Sequence, residues 1–137
     1  MEYIAKAAQL TGMQFTVTTG SHSITTDYPL KPNDLGAGPR PLELLLCSLA
    51  SCAGGSVVVL LRRAGHPATK VDVTARGQRR TEHPTLFTDI ALEFVVHGAI
   101  DANIVGEVIE QSESTICPVW AMLKPGTRIT SSFRVEP

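Results

Sequence analysis

The chain carries almost no excess charge, with 12 Lys and Arg against 13 Asp and Glu in 137 residues. No block of one sign forms a nucleic-acid face or an acidic tail, so nucleic acid is not an expected partner. Residues 1–6, Met-Glu-Tyr-Ile-Ala-Lys, lack the basic and then continuously apolar pattern of a secretory signal, and the cytoplasm is the expected location. Cysteine is scarce as well. Three cysteines are an odd number and too few for a disulfide scaffold, so any disulfide is expected to be transient and catalytic. His22, His66, His83 and His97 are scattered, with no Cys-x-x-Cys or His-x-x-x-His spacing, and no metal site is expected. The sequence also lacks a Gly-x-Ser-x-Gly elbow, a phosphate-cradling glycine loop and a dinucleotide fingerprint, which leaves a bound organic cofactor without a seat.

What the chain does have is one long uncharged run over residues 44–61, at the roughly 18-residue lower limit for a membrane span. It contains Ser48, Ser51, Gly54, Gly55 and Ser56, and nothing else in the chain resembles a second span. A buried central helix is therefore the expected reading, with no membrane partner. The length suffices for one domain with a real core, yet is small enough that oligomerisation would help bury apolar surface.

Three short segments, 3–10, 13–18 and 21–26, separated by Gly12 and Gly20, read as antiparallel hairpin strands. Residues 28–41 hold four prolines and two glycines and must form a loop. A long helix is expected from Pro41, ended by Arg62, Arg63, Gly65 and Pro67. Val71, Val73 and Ala75, and then Ile90, Leu92, Phe94 and Val96, alternate with polar residues as two strands joined through a turn at 81–84. Asp101 caps a second helix running to about Ile116; Pro118 opens a short further turn, and Ile129, Phe133 and Val135 mark a last strand. The order βββ-α-ββ-α-β has no alternating βαβ rhythm and implies an α+β domain with mostly antiparallel sheets.

Two of the cysteines sit where chemistry is possible. Cys52 is in the middle of the long helix, sharing a face with Leu45, Ser48, Ser56 and Val59, while Cys47 points roughly 140° away. These two neighbours cannot pair within a regular helix, and Cys47 is assigned to packing. Gly54 and Gly55 each cost the helix about 1 kcal/mol relative to Ala, which implies close packing by a helix or a small substrate. If Pro118 is the first residue of a short helix, Cys117 is its N-cap, a position that favours a thiolate. Cys52 lies far from its helix ends and would need a nearby cation. From the residues alone, both remain open to the alternative of buried cysteine as a small hydrophobe.

The segments Gly38-Pro39-Arg40-Pro41-Leu42-Glu43-Leu44-Leu45-Leu46-Cys47-Ser48-Leu49-Ala50-Ser51-Cys52 and Ser114-Thr115-Ile116-Cys117-Pro118-Val119 resemble the paired cysteine motifs of the OsmC/Ohr family. The first motif sets Pro eleven residues before the reactive Cys, as Pro41 is to Cys52; the second is Cys-Pro on the next long helix. The resemblance covers essentially the whole chain. It implies an OsmC-like fold, an intertwined homodimer in which sheets enclose two long central helices, with active sites at the subunit interface. It also implies that Cys52 is the peroxidatic cysteine and Cys117 the resolving one.

By the same resemblance, the activity is reduction of small organic or fatty hydroperoxides, with hydrogen peroxide as a further candidate substrate, through a Cys52 sulfenate and a Cys52–Cys117 disulfide. Leu45 and Leu49 would line the site. Closing the disulfide needs Cα atoms about 4.4–6.8 Å apart. No cofactor is bound; an external dithiol, often a dihydrolipoyl group in the family, reduces the disulfide. The chain departs from the Ohr branch in having Leu42 directly after the motif proline, with Glu43 one position later, and in having no arginine before Arg40. Arg40 and Glu43 are the substitute candidates for activation or substrate contact, and the departures place the chain on the OsmC-like side. The alternatives are a redox-sensing or small-ligand-binding protein with little turnover, and a different cysteine enzyme in which Cys52 attacks a carbonyl.

Overall fold

The computed structural model describes residues 1–137, and these fall into two compact units, 1–45 and 46–137. In the first unit, β1 (Lys6–Thr11), β2 (Gln14–Thr19) and β3 (His22–Thr26) form an antiparallel sheet in that order. The two connections turn through Gly12 and Gly20, whose φ angles of 54° and 58° are left-handed and favour glycine. The breaker-rich stretch is a loop, as expected, and one carboxylate organises it. Asp27 accepts hydrogen bonds from the backbone N–H of Tyr28 at 2.7 Å and of Ala37 at 2.9 Å, while its own N–H donates to the Pro39 carbonyl at 3.2 Å. Any side chain at Gly38 would run into the Thr25 carbonyl, so this loop can close on β3 only with glycine there.

The long helix α1 (Pro41–Arg63) starts at the proline that the sequence nominated and ends in Arg62 and Arg63. Its length and composition would also allow it to cross a membrane. In the second unit it buries Leu49, Ala53, Gly54, Ser56, Val57, Leu60 and Leu61, at the three- and four-residue spacing of one helical face.

β4 (Lys70–Arg79), β5 (Phe87–His97) and β6 (Arg128–Glu136) form the second sheet. On one face the apolar residues meet in register: Val73 opposite Phe94, Val71 opposite Val96, Phe94 opposite Phe133 and Val96 opposite Val135. The other face carries ion pairs such as Arg76 with Glu93. This is the period-two segregation read from the sequence.

β4 and β5 are antiparallel, but β6 lies parallel to β5. A single helical crossover therefore exists where no βαβ rhythm was expected, although three of the four strand pairings are antiparallel. The reason is the connection: residues 98–127 are long enough to return the chain to the same end of the sheet, which a hairpin cannot do.

That crossover begins with α2 (Ala102–Gln111), capped by the Asp101 carboxylate, which accepts the Asn103 N–H at 2.7 Å. The expected continuous helix to Ile116 is not regular. Residues Ser112–Ile116 form a π-helical turn, and the Cys117 N–H reaches back five residues to the Ser112 carbonyl at 2.8 Å. The Ser114 and Thr115 hydroxyls donate to the carbonyls of Glu110 and Gln111 at 2.9 Å, competing for acceptors in the helix ladder and loosening it. α3 (Pro118–Leu123) follows, with Pro118 at its start and Cys117 as N-cap, as the sequence predicted.

Candidate functional site

Both Cys52 and Cys117 belong to the second unit, and the fold brings them together across 65 residues of sequence. Cys52 is half-buried on α1, and Cys117 is 1% exposed at the junction of the π-helical turn and α3. The two thiols are near enough to interact electrostatically, and both are free. α3 is pinned to the sheet by Trp120, itself 1% exposed, whose ring stacks on Phe94 with centroids 6.4 Å apart. Cys117 is thus set on a rigid element, and Cys52 on the neighbouring long helix.

The electrostatics of Cys117 reverse the sequence expectation. As N-cap, its sulfur does accept the Trp120 backbone N–H at 3.5 Å. Burial nevertheless pushes the thiol up, Trp120 pulls it down and Cys52 pushes it up again, with a net rise above the ordinary value. Desolvation of an anion outweighs two N–H dipoles at the start of a six-residue helix. Cys117 is a site for a thiol, not for a resting thiolate.

Cys47 is exposed rather than packed inside its own chain. With Ser51, Gly55 and Val59 it forms an uncharged exposed stripe along α1 at four-residue spacing. A groove of about 460 Å³ lies beside this stripe, lined by Cys47, Ser51, Gly54, Gly55, Val71 and Val73. The two glycines now separate. A Cβ on Gly54 would stand 3.1 Å from the Val73 side chain, so close approach of β4 accounts for it, whereas a Cβ on Gly55 would meet nothing within 4 Å. Leu49 is fully buried in the core instead of facing an open site.

Arg40 and Glu43 lie in the first unit and are engaged with each other. The Glu43 carboxylate accepts the Arg40 backbone N–H at 3.0 Å, which satisfies one of the free donors at the start of α1, and the Arg40 guanidinium stands 3.5 Å from the same oxygen. That guanidinium also lies 5.8 Å above the Tyr28 ring. Both residues therefore have a structural task at a helix start.

His97 sits between Asp72, at 3.1 Å from Nε2, and Glu136, at 3.6 Å from Nδ1. Its two nitrogens face opposite carboxylates, so the three groups do not converge on a point, and no group of three His, Cys, Asp or Glu side chains is arranged to hold a metal ion. Sequence reasoning did not single out Trp120 or the π-helical turn. The Trp offered a signal, as the only one in the chain and three residues past Cys117; the turn, which depends on hydroxyl back-bonding, offered little.

The family described as OsmC-like protein matches residues 32–132. The protein YhfA of Escherichia coli K12 is 29% identical over 133 residues, covering 96% of each chain. Among solved structures, an OsmC-like protein from Mycoplasma pneumoniae is similar with a TM-score of 0.89 at 20% identity, covering 100% of this chain and 99% of that one. An organic hydroperoxide resistance protein OsmC from Legionella pneumophila aligns with a TM-score of 0.80 at 17% identity over 98% of both chains. At these identities the structural matches speak to the fold.

Proposed function

The chain belongs to the OsmC-like family, and from that premise we propose that it is a thiol-dependent peroxidase acting on organic hydroperoxides. The single observation that carries this reading is the juxtaposition of the half-exposed Cys52 with the buried Cys117. The name of the Legionella relative supplies the substrate class.

In the proposed cycle the Cys52 thiolate attacks the terminal oxygen of R–O–OH. An S–O bond forms as the O–O bond breaks, and the alkoxide leaves to take up a proton as the alcohol. Cys117 then gives up its proton and attacks the sulfenic sulfur. The S–S bond forms, the S–O bond breaks, and the departing hydroxide becomes water. The two oxidising equivalents now reside in the Cys52–Cys117 disulfide, and an external dithiol such as a dihydrolipoyl group removes them by exchange, becoming a disulfide itself. A reducing compartment, the cytoplasm, suits that cycle.

A second copy of the chain is part of the proposal. The uncharged stripe of Cys47, Ser51, Gly55 and Val59 is small enough for a second α1 to approach closely, and covering it would bury a face that α1 leaves open.

The test is to incubate the reduced protein with cumene hydroperoxide, with hydrogen peroxide and with a dihydrolipoyl reductant, following peroxide loss. The expected result is multiple turnover that Cys52→Ser abolishes, and that Cys117→Ser stops after one equivalent. Undiminished turnover in Cys52→Ser would overturn the reading. Formation of the disulfide without turnover would favour the redox-sensing alternative.

A further inference from the structure

Along α2 the buried residues recur as a regular helix requires: Val105, then Val108 and Ile109, then Ser112. At about 100° per residue, an uninterrupted helix would next turn Thr115 and Ile116 inward, within about 60° of Ser112, and leave Cys117 about 140° away. The chain does the opposite. Thr115 and Ile116 are exposed, Ile116 to 38%, and the next fully buried residue is Cys117 at 1%. The Cys117 N–H donates to the Ser112 carbonyl at 2.8 Å, so the inward step is five residues where the helix before it used three and four. An apolar side chain has been turned out and a thiol turned in.

Two hydroxyls account for the change of step. In an α-helix the N–H groups of Ser114 and Thr115 would donate to the carbonyls of Glu110 and Gln111. Here those carbonyls accept the Ser114 and Thr115 hydroxyls, each at 2.9 Å. A carbonyl so occupied favours a ladder whose N–H donors slip one residue onward, which is the π-helical turn of Ser112–Ile116. Pro118 does not explain the slip. It brings Cys117 to an extended conformation and ends the helix, but it does not set how the five residues before Cys117 are wound.

We propose that Ser114 and Thr115 are positioning residues: their hydroxyls hold the π-helical turn that directs Cys117, in place of Ile116, into the interior of the second unit. The purpose of this placement rests on the peroxidase reading, in which Cys117 attacks the Cys52 sulfenic sulfur. Wound as a regular helix, the same segment presents Ile116 inward and holds the resolving thiol outside. The second step of the cycle then slows, while the first, which uses the Cys52 thiolate, is untouched.

The first measurement uses the full-length protein with Cys47→Ser and Cys52→Ser, so that Cys117 is the only thiol. Its alkylation by iodoacetamide is followed by mass spectrometry. Adding Ser114→Ala with Thr115→Val, which deletes both hydroxyl bonds, should speed alkylation about tenfold. Adding Ser114→Thr with Thr115→Ser instead, which keeps both hydroxyls, should preserve the slow rate. The urea midpoint of the variant without hydroxyls should not fall, because Ile116 gains cover and the competing bonds are gone; a merely structural role would lower it. The second measurement uses reduced protein carrying only Cys47→Ser as background. Without the two hydroxyls it should consume its first equivalent of cumene hydroperoxide at the parent rate and close the Cys52–Cys117 disulfide about tenfold more slowly. An unchanged Cys117 alkylation rate, a hydroxyl-retaining variant as fast as the one without hydroxyls, a lowered midpoint, or a disulfide that closes at the parent rate would each overturn the proposal. Alkylation needs no peroxide, so failure of the peroxidase reading shows separately: no protein consumes hydroperoxide, while the alkylation rates still follow the hydroxyls and support the placement of Cys117.

Discussion

Trp120→Ala is expected to be among the most damaging single substitutions in the second unit, and Trp120→Phe close to neutral. Trp120 is 1% exposed and stacks on Phe94 with an interplanar angle of 17°. Truncation to Ala removes most of a buried aromatic and the ring pair, which should cost about 3–5 kcal/mol. Phe keeps a ring to stack and removes two carbons, costing roughly 1.6 kcal/mol at about 0.8 kcal/mol per carbon. It also removes the indole N–H, which has no acceptor within the chain. Relief of an unpaired buried donor returns roughly 1–3 kcal/mol, so the net change for Phe should lie between a loss of about 0.6 and a gain of about 1.4 kcal/mol. The assay is urea unfolding followed by far-ultraviolet circular dichroism, under reductant and at matched protein concentration, because the mutation deletes the only tryptophan. Equal losses for Phe and Ala would refute the argument, since they would mean that the indole N–H is bonded; a loss below about 1.5 kcal/mol for Ala would mean that the stack is not an anchor.

Gly77→Ala should destabilise by about 1–3 kcal/mol through overpacking, because its Cβ would stand 2.6 Å from the Phe87 ring; chemical unfolding checks this. The Asp72 and Glu136 carboxyls are held below the ordinary carboxylate range, chiefly by hydrogen bonds from Lys70 and Arg134 respectively. Such groups contribute stability above their unfolded values that is lost as pH falls through the lower folded values, so Asp72→Asn and Glu136→Gln should flatten the acid limb of a stability profile below about pH 4. Gly55→Arg places a charge on the open stripe of α1 without a steric conflict inside the chain. It should convert a dimer to a folded monomer by sedimentation, and an unchanged assembly state would remove that stripe from the interface.

Much of the fold was legible because burial imposes a period. Alternation at Val71, Val73 and Ala75 and at Ile90, Leu92, Phe94 and Val96 gives the strands, and the segregated faces follow in the sheet. Gly12, Gly20, Pro41 and Asp101 mark boundaries because each backbone role admits few residue types. The parallel placement of β6 was not legible: strand direction depends on where a 30-residue connection delivers the chain, and no local pattern encodes that. The π-helical turn was hidden for a related reason, since hydroxyl bonds of Ser114 and Thr115 compete with a ladder that composition alone would continue.

For the cysteines with chemical promise, the sequence by itself determined their number, their motif spacing and the helix start at Cys117. Only the tertiary structure decided that Cys52 and Cys117 come near enough to interact, and which of them is dry. It also reversed the local argument. Capping favours a thiolate at Cys117, but an N-cap is a property of a few neighbouring residues, whereas desolvation is set by everything packed around the sulfur, and here the packing wins.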